Sequence, residues 1–342
     1  MTQGIHTQQE IWSQPAAWQD ALAVHRRSQA ALAPLLAGQH MQTVFTGCGS
    51  TYYLALAAAA LFQEQTGRSA RAVPAGELLL NPATALTADK TLLVAVSRSG
   101  ATSETVRAVE QFRQQARGPV IALTNYGDQP LAGLADAALV IAAGQEESVA
   151  QTRSFASLYV AATALALQAA GRSDLLGAMA QIPARGAALL EQGAAPARAL
   201  GENLALDRFY FLGSGARYGL ACEVNLKMKE MTLTHSEPFH FLEFRHGPQS
   251  MVNGQTAVVG LLSAASASHE RQVLAEMAAL GATVFDLAEE GARVTFASGL
   301  PEAARGVLYL PVLQMMAYYR ALAKGLDPDR PNNLTAVIKL AL

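Results

Sequence analysis

Three features of the sequence predict an α/β protein made of two tandem doubly wound parallel-sheet domains. Short β-branched and aromatic runs alternate with longer apolar helical stretches, the pattern of parallel strands with helices crossing both faces. Two of these runs end in a glycine turn, Gly47-Cys48-Gly49-Ser50-Thr51 and Gly213-Ser214-Gly215-Ala216-Arg217, and a helical stretch follows each. The turns are related by a constant offset. Gly47 and Gly49 map onto Gly213 and Gly215 at 166 residues, and the same offset carries Ser97 to Ser263. A spacing kept across two strand ends points to a duplicated unit.

The elements follow in order. Residues 1–24 read as an extended arm leading into a helix, with Pro15 suited to a first helical turn. Thr43–Thr46 is the first strand, and the alanine-rich stretch Tyr52–Gln65 is the helix after its glycine turn. Leu92–Val96 is a strand and Thr102–Gln115 a helix; Val120–Thr124 and Ala138–Ala142 are further strands, and Leu158–Ala170 is a closing helix. The Gly- and Ala-rich stretch Gly186–Gly201 reads as a linker. The strand Arg208–Leu212, the second glycine turn, a helix from Tyr218 and the strand Ala257–Leu262 repeat the scheme. The expected boundaries are an arm at 1–24, a first domain at 25–185, a second at 195–330 and a tail at 331–342.

Composition narrows the function. At 342 residues, 51% hydrophobic and 15% charged, the chain has the length for two domains rather than one. Its 25 Lys+Arg nearly balance 27 Asp+Glu without a basic stripe or acidic tail, which argues against nucleic acid and membrane surfaces as partners. Cys48 and Cys222 lack CxxC spacing, so neither a disulfide framework nor a zinc cluster is expected and a reducing compartment is the default. The first residues contain no signal-peptide core, and Ala55–Phe62 and Leu158–Ala170 are too short to span a bilayer, so the expectation is a cytoplasmic protein.

Two segments carry candidate chemistry. In Val94–Thr105, VAVSRSGATSET, an apolar strand runs straight into serines, threonines and a glycine. Ligands of open parallel sheets bind beyond the carboxyl ends of strands. Ser97, Ser99, Gly100 and Thr102 lie at such an end, where helix N–H groups and hydroxyls could hold a phosphate. Equally, Thr102 or Ser103 could merely cap the next helix. The segment alone leaves these even. No P-loop or dinucleotide fingerprint is present. In the second segment, Glu223, Lys227 and Glu230 are spaced four and three apart and share one helix face. They could be an exposed ion-pair ladder, or a carboxylate that moves protons next to a carbonyl with His246, which precedes Gly247-Pro248. His235, His240 and His246, five and six apart, match no zinc spacing, and no metal is expected; His235 and His240 read as structural or surface residues.

Taken together, the motifs resemble the tandem sugar-isomerase (SIS) domain family, which includes the isomerase half of glucosamine-6-phosphate synthase and its stand-alone relatives. Glu10-Ile11-Trp12-Ser13-Gln14-Pro15 is similar to the family's EIxxQP arm, Gly47–Thr51 to its first turn and Ser97–Thr102 to its SxSGxT phosphate loop. Glu147–Phe155, Glu223–Glu230 (ExxLKxKE), His246-Gly247-Pro248 and Lys324–Pro331 (KGxxxDxP) follow in the family's order, so the resemblance covers nearly the whole chain. It implies a flavodoxin-like version of the fold.

Position by position, the resemblance implies that Ser97, Ser99 and Thr102, with Ser50, Thr51 and Arg98 beside them, hold a sugar 6-phosphate. Gly49, Val149 and Ala150 would touch other parts of the substrate. Glu230 would move a proton between C1 and C2, and Lys227 would be a supporting or substrate-contacting cation. His246 would assist ring opening from a neighbouring subunit, which implies a homodimer with shared active sites. No cofactor is implied. The family often has an uncharged residue at the place of Arg98, and whether Arg98 faces the phosphate or a neighbouring subunit stays open.

The expected activity is conversion of an amino-sugar 6-phosphate, such as glucosamine 6-phosphate to fructose 6-phosphate plus ammonia. A fructosamine-6-phosphate deglycase and a non-catalytic sugar-phosphate sensor are the alternatives. Two departures bear on this. The chain starts at the EIxxQP arm without a glutaminase domain, so glutamine-dependent synthesis is not expected of it. The tail reads Pro331-Asn332-Asn333-Leu334-Thr335-Ala336, with Ala336 where the family carries an imine-forming lysine and Lys339 three residues on. The second copy keeps Ser263 but loses the glycine loop, so one phosphate per chain is expected.

Overall fold

The computed structural model describes residues 3–38 and 40–338. β1 (Gln42–Gly47), β2 (Ala70–Pro74), β3 (Thr91–Ser97), β4 (Val120–Thr124) and β5 (Ala137–Val140) form a parallel sheet in the order β2-β1-β3-β4-β5. Buried β1, β3 and β4 send alternate side chains to opposite faces, as the two-residue period of a strand requires. Val44, Leu93, Ala95, Val120 and Ala122 pack with Ala108, Val109 and Phe112 of helix Ser103–Gln114. Phe45 points the other way and meets Phe62 of helix Ser50–Thr66 edge-on, with ring centroids 5.8 Å apart. Helix Arg153–Ala169 packs beside helices Gln14–Ala37 and Ser50–Thr66 and is buried without a break from Ser154 to Leu167, as a helix apolar on all sides must be. Each Leu or Phe buried in this way contributes roughly 1.5–3 kcal/mol.

The second sheet repeats the first. β6 (Arg208–Leu212), β7 (His235–Phe239), β8 (Thr256–Leu261), β9 (Thr283–Ala288) and β10 (Val294–Thr295) are parallel in the order β7-β6-β8-β9-β10. Numbered within its own half, each sheet runs 2-1-3-4-5, the flavodoxin-like order. The glycine turns match in conformation as well. Gly49 has φ +54° and ψ −124°, and Gly215 has φ +58° and ψ −135°.

The chain divides into two compact units whose segments interleave. Among the described residues, those of 13–146, 153–183 and 335–338 belong with the first sheet, and those of 3–12, 147–152 and 184–334 with the second. The extended arm is corrected at its start, where residues 5–12 are already a helix, while the helix expected around Pro15 is present and runs 14–37 with Pro15 in its first turn. Trp18, Ala21, Val24, Leu32 and Leu36 recur on one buried face at helical spacing, and that periodicity outweighs the polar start of the chain. The expected linker is corrected too. Ile182–Gly201 is one helix. A side chain at Gly193 would collide with Val312, and one at Gly201 with the Met316 carbonyl. These glycines let helix Leu310–Ala323 come close; they do not loosen the chain. The edge strands β2 and β7 escape the sequence pattern because each is polar or partly exposed and includes a proline. Among the described residues no helix is long and apolar enough to cross a membrane.

Candidate functional site

β1 and β3 are neighbours, yet the helices that follow them pack on opposite faces of the sheet. Their carboxyl ends therefore flank the crevice where open sheets of this order take ligands. Gly47–Thr51 and Ser97–Thr102 are the two turns at that edge. Gly100 has φ +65°, and a Cβ there would lie 2.9 Å from the Gln129 Cβ and 3.1 Å from the Thr124 Oγ1. Only glycine fits both the conformation and the space.

The hydroxyls of the loop converge. Thr102 Oγ1 is 3.2 Å from Ser97 Oγ and 3.5 Å from Ser99 Oγ. The Gly100 N–H donates to Ser97 Oγ at 3.1 Å and the Ala101 N–H to Ser99 Oγ at 3.2 Å. Thr102 stands at the N-cap of helix Ser103–Gln114 but makes no side-chain capping bond. A residue placed to cap that gathers instead with two serines counts against the simple capping reading.

The first turn braces this cup. Thr51 Oγ1 accepts from the Cys48 N–H and donates to the Cys48 carbonyl, both at 2.9 Å. Ser50 and Thr51 are buried, and Gly49 opens their helix. Cys48 Sγ lies 3.6 Å from Thr105 Oγ1, which links the first turn to helix Ser103–Gln114. Burial raises the Cys48 thiol above its ordinary pKa and pushes that of Cys222 up to about 12. Arg98, at the centre of the loop, is buried; its Nη2 donates to the Ala336 carbonyl at 2.8 Å and its Nη1 lies 3.8 Å from Glu146.

In the other unit, helix Ala216–Thr232 carries the predicted face. Lys227 Nζ is 3.4 Å from Glu223 Oε1 and hydrogen-bonds Glu230 Oε2. Glu223 and Lys227 are wholly buried, while the Glu230 side chain keeps 19% exposure. An exposed ion-pair ladder is thereby excluded. A buried ammonium costs several kcal/mol unless paired, so two carboxylates beside it explain its place. Val149 and Ala150 fall in the same unit: the Val149 N–H donates to the Asp329 carbonyl at 3.0 Å, and Ala150 packs in a cluster with Met231, the neighbour of Glu230. His246 is exposed beyond the 3-10 turn Glu243–Arg245, which buried Phe244 and the paired contacts of Arg245 with Glu276 (2.7 Å each) hold in place. His235 is exposed at the start of β7; the His240 ring stacks on Tyr218 at 4.0 Å, and burial lowers its pKa.

Sequence reasoning passed over the residues that hold Val149 and Ala150. Buried Glu10 accepts from the Glu147 and Ser148 N–H groups and from Ser148 Oγ. Asp329 accepts from the N–H groups of His6 (3.1 Å) and Thr7 (2.7 Å) and from Thr7 Oγ1 (2.7 Å). Glu10 and Asp329 lie in the quoted arm and KGxxxDxP motifs, which was the available signal.

The second copy of the cup is filled by the chain itself. The Ser266 N–H donates to Ser263 Oγ at 2.8 Å, as Gly100 does to Ser97. There, however, the Ser263 N–H donates to Glu270 at 2.6 Å and the Ala264 N–H to Glu302 at 2.9 Å. Arg217, at the place of Thr51, pairs with Glu302 and lies 3.7 Å from Glu270. Burial raises the Glu270 pKa. Lys339 lies outside the described residues.

A family model for the SIS domain matches residues 35–168. The glutamine–fructose-6-phosphate aminotransferase [isomerizing] of Symbiobacterium thermophilum is 33% identical over 266 residues, which cover 72% of this chain and 43% of that protein. The chain spans about half the length of the curated relatives it matches. The crystal structure of glucosamine-6-phosphate deaminase from Thermotoga maritima has a TM-score of 0.80 at 27% identity and covers 98% of this chain and 100% of that one. Tagatose-6-phosphate ketose/aldose isomerase from Escherichia coli has a TM-score of 0.85 at 26% identity, covering 97% and 96%.

Proposed function

We propose, for a chain whose residues 35–168 form an SIS domain homologous to the isomerase half of glutamine–fructose-6-phosphate aminotransferase, that it converts an amino-sugar 6-phosphate to its ketose phosphate with release of ammonia. The observation that carries this reading is the convergence of Ser97, Ser99 and Thr102 at the β1/β3 crevice, around a helix start to which Thr102 gives no side-chain cap. A dianionic phosphate suits such a place, because hydroxyl donors and the N-terminal end of a helix both favour negative charge.

In this reading the 6-phosphate of glucosamine 6-phosphate docks on the loop. His246, contributed by the second subunit of a homodimer, helps open the ring to the aldehyde. Glu230, oriented by its bond to Lys227, removes the C2 proton and returns it at C1. The C2 amine becomes an imine, water adds to it, and fructose 6-phosphate and ammonia leave. No redox partner is needed, since oxidation at C2 is balanced by reduction at C1. Ala336 leaves the tail position without an amine, so this route passes through the substrate's own imine.

Glu230→Gln is expected to bind fructose 6-phosphate as the wild type does but to lose about 10²–10⁴-fold in turnover, the usual contribution of a positioned base. Near-wild-type turnover in this variant would sink the assignment. A panel of hexosamine and fructosamine 6-phosphates, read for ammonia, ketose and amino-acid release, separates this activity from a deglycase. Binding without turnover of any member would indicate a sensor.

A further inference from the structure

We propose that Arg98 is a positioning residue that latches the C-terminal tail, residues 335–338, onto the phosphate loop. The latched tail, rather than the charge of Arg98, then strengthens binding of the sugar part of a 6-phosphate ester. This second clause rests on the function proposed above; the latch itself does not.

Arg98 stands between Ser97 and Ser99, where a cation facing the phosphate is the simple expectation. Its surroundings direct it elsewhere. The Arg98 carbonyl accepts from the Asn125 N–H at 3.1 Å and from Thr124 Oγ1 at 3.2 Å, which ties its backbone to the end of β4. The side chain is only 8% exposed and lies between two acceptors of the same unit. One is the Ala336 carbonyl, at 2.8 Å from Nη2. The other is Glu146, whose wholly buried carboxylate also accepts from Ser154 Oγ. A guanidinium buried against a carboxylate and a carbonyl is expensive to move, because leaving takes a partner from each of them.

The tail is tied a second time. The Ser103 N–H and Oγ both lie 3.4 Å from the Ile338 carbonyl. Ser103 is the first residue of the helix whose start forms the cup, and its N–H has no partner within the helix. Both ties use main-chain carbonyls of the tail. A carbonyl contact is indifferent to the side chain it belongs to, so alanine at 336 serves the latch as well as any residue would.

Amide exchange of the tail, with the affinities for inorganic phosphate and glucosamine 6-phosphate, tests this on the full-length protein. Arg98→Gln is expected to speed exchange at residues 335–338 by about 10-fold or more, the scale of one lost charge-assisted hydrogen bond. It should weaken glucosamine 6-phosphate about 10-fold while inorganic phosphate changes by less than about threefold. Arg98→Lys should fall between, since one ammonium serves two acceptors poorly. Should Arg98→Gln fold badly, Glu146→Gln keeps the arginine and is expected to loosen the tail in the same direction. Unchanged tail exchange in both variants overturns the latch. So does loss of inorganic-phosphate binding with a protected tail, which would make Arg98 a phosphate ligand. If the wild type binds inorganic phosphate but not glucosamine 6-phosphate, and Arg98→Gln still frees the tail, the latch stands and the function reading falls.

Discussion

At Thr102 one hydroxyl has two possible tasks, and geometry decides between them. Its place before helix Ser103–Gln114 suits a cap, yet its oxygen lies with Ser97 and Ser99. Lys227 is a similar case. The four-and-three spacing was visible in the chain, but that spacing describes an exposed face as well as a buried one. Complete burial of Glu223 and Lys227 changes an ion-pair ladder into a fixed support for Glu230. The two cysteines carry a prediction at this scale. A thiol must ionise to react, and burial raises the pKa of both. With its pKa near 12, Cys222 would be thiolate in only about one molecule in 10⁴ at pH 8. Raising the pH toward 12 adds thiolate and lowering it removes what little there is. Iodoacetamide at pH 8 is expected to label both cysteines of the folded protein far more slowly than free cysteine, with Cys222 the slower. Rapid labelling of Cys222 without unfolding would contradict this.

Among the elements, helix Ile182–Gly201 shows how composition misleads. Glycine and alanine suggested a linker, whereas here they let two helices approach. Replacing glycine by alanine inside a helix ordinarily stabilises by roughly 0.5–1 kcal/mol. Gly177, in helix Ser173–Met179, has open space at its Cβ position, and Gly177→Ala is expected to follow that rule. At Gly201 the added methyl would meet the Met316 carbonyl, which cannot turn aside, so Gly201→Ala is expected to destabilise by about 1–3 kcal/mol despite alanine's higher helix propensity. Urea unfolding of both variants checks the opposite signs; equal shifts would mean that the close packing of this helix is wrongly read. The strands followed the same division. β1, β3, β4, β5, β6 and β8 were legible as apolar runs; β9 was not, nor were the edge strands β2 and β7, which are polar or partly exposed and include a proline that an edge tolerates.

Over the whole molecule, two sheets of one strand order differ in the turns at their carboxyl ends. Both sheets have the same strand order, and both keep a serine at the end of the third strand. In the first copy the loop hydroxyls face one another; in the second, Glu270 and Glu302 already accept the backbone N–H groups that an anion would use. One inorganic phosphate per chain is therefore expected in equilibrium binding. Glu302→Ala, which frees the Ala264 N–H and one partner of Arg217, is expected to admit a second. A variant that folds normally and still binds only one would show that Glu302 is not what closes this cup. The sequence by itself determined the α/β fold with two parallel sheets, the serine and threonine loop and the shared face of Glu223, Lys227 and Glu230, because strand and helix periods make near neighbours in the chain near neighbours in space. Only the tertiary structure decided which side chains are buried and which distant backbone groups they meet. Glu10 holds residues 137 and 138 positions away, Glu302 plugs a turn 38 away, and Arg98 reaches a carbonyl 238 away. Such partners are set by the path of the folded chain, and a main-chain carbonyl or N–H leaves no mark in the sequence of the residue that offers it.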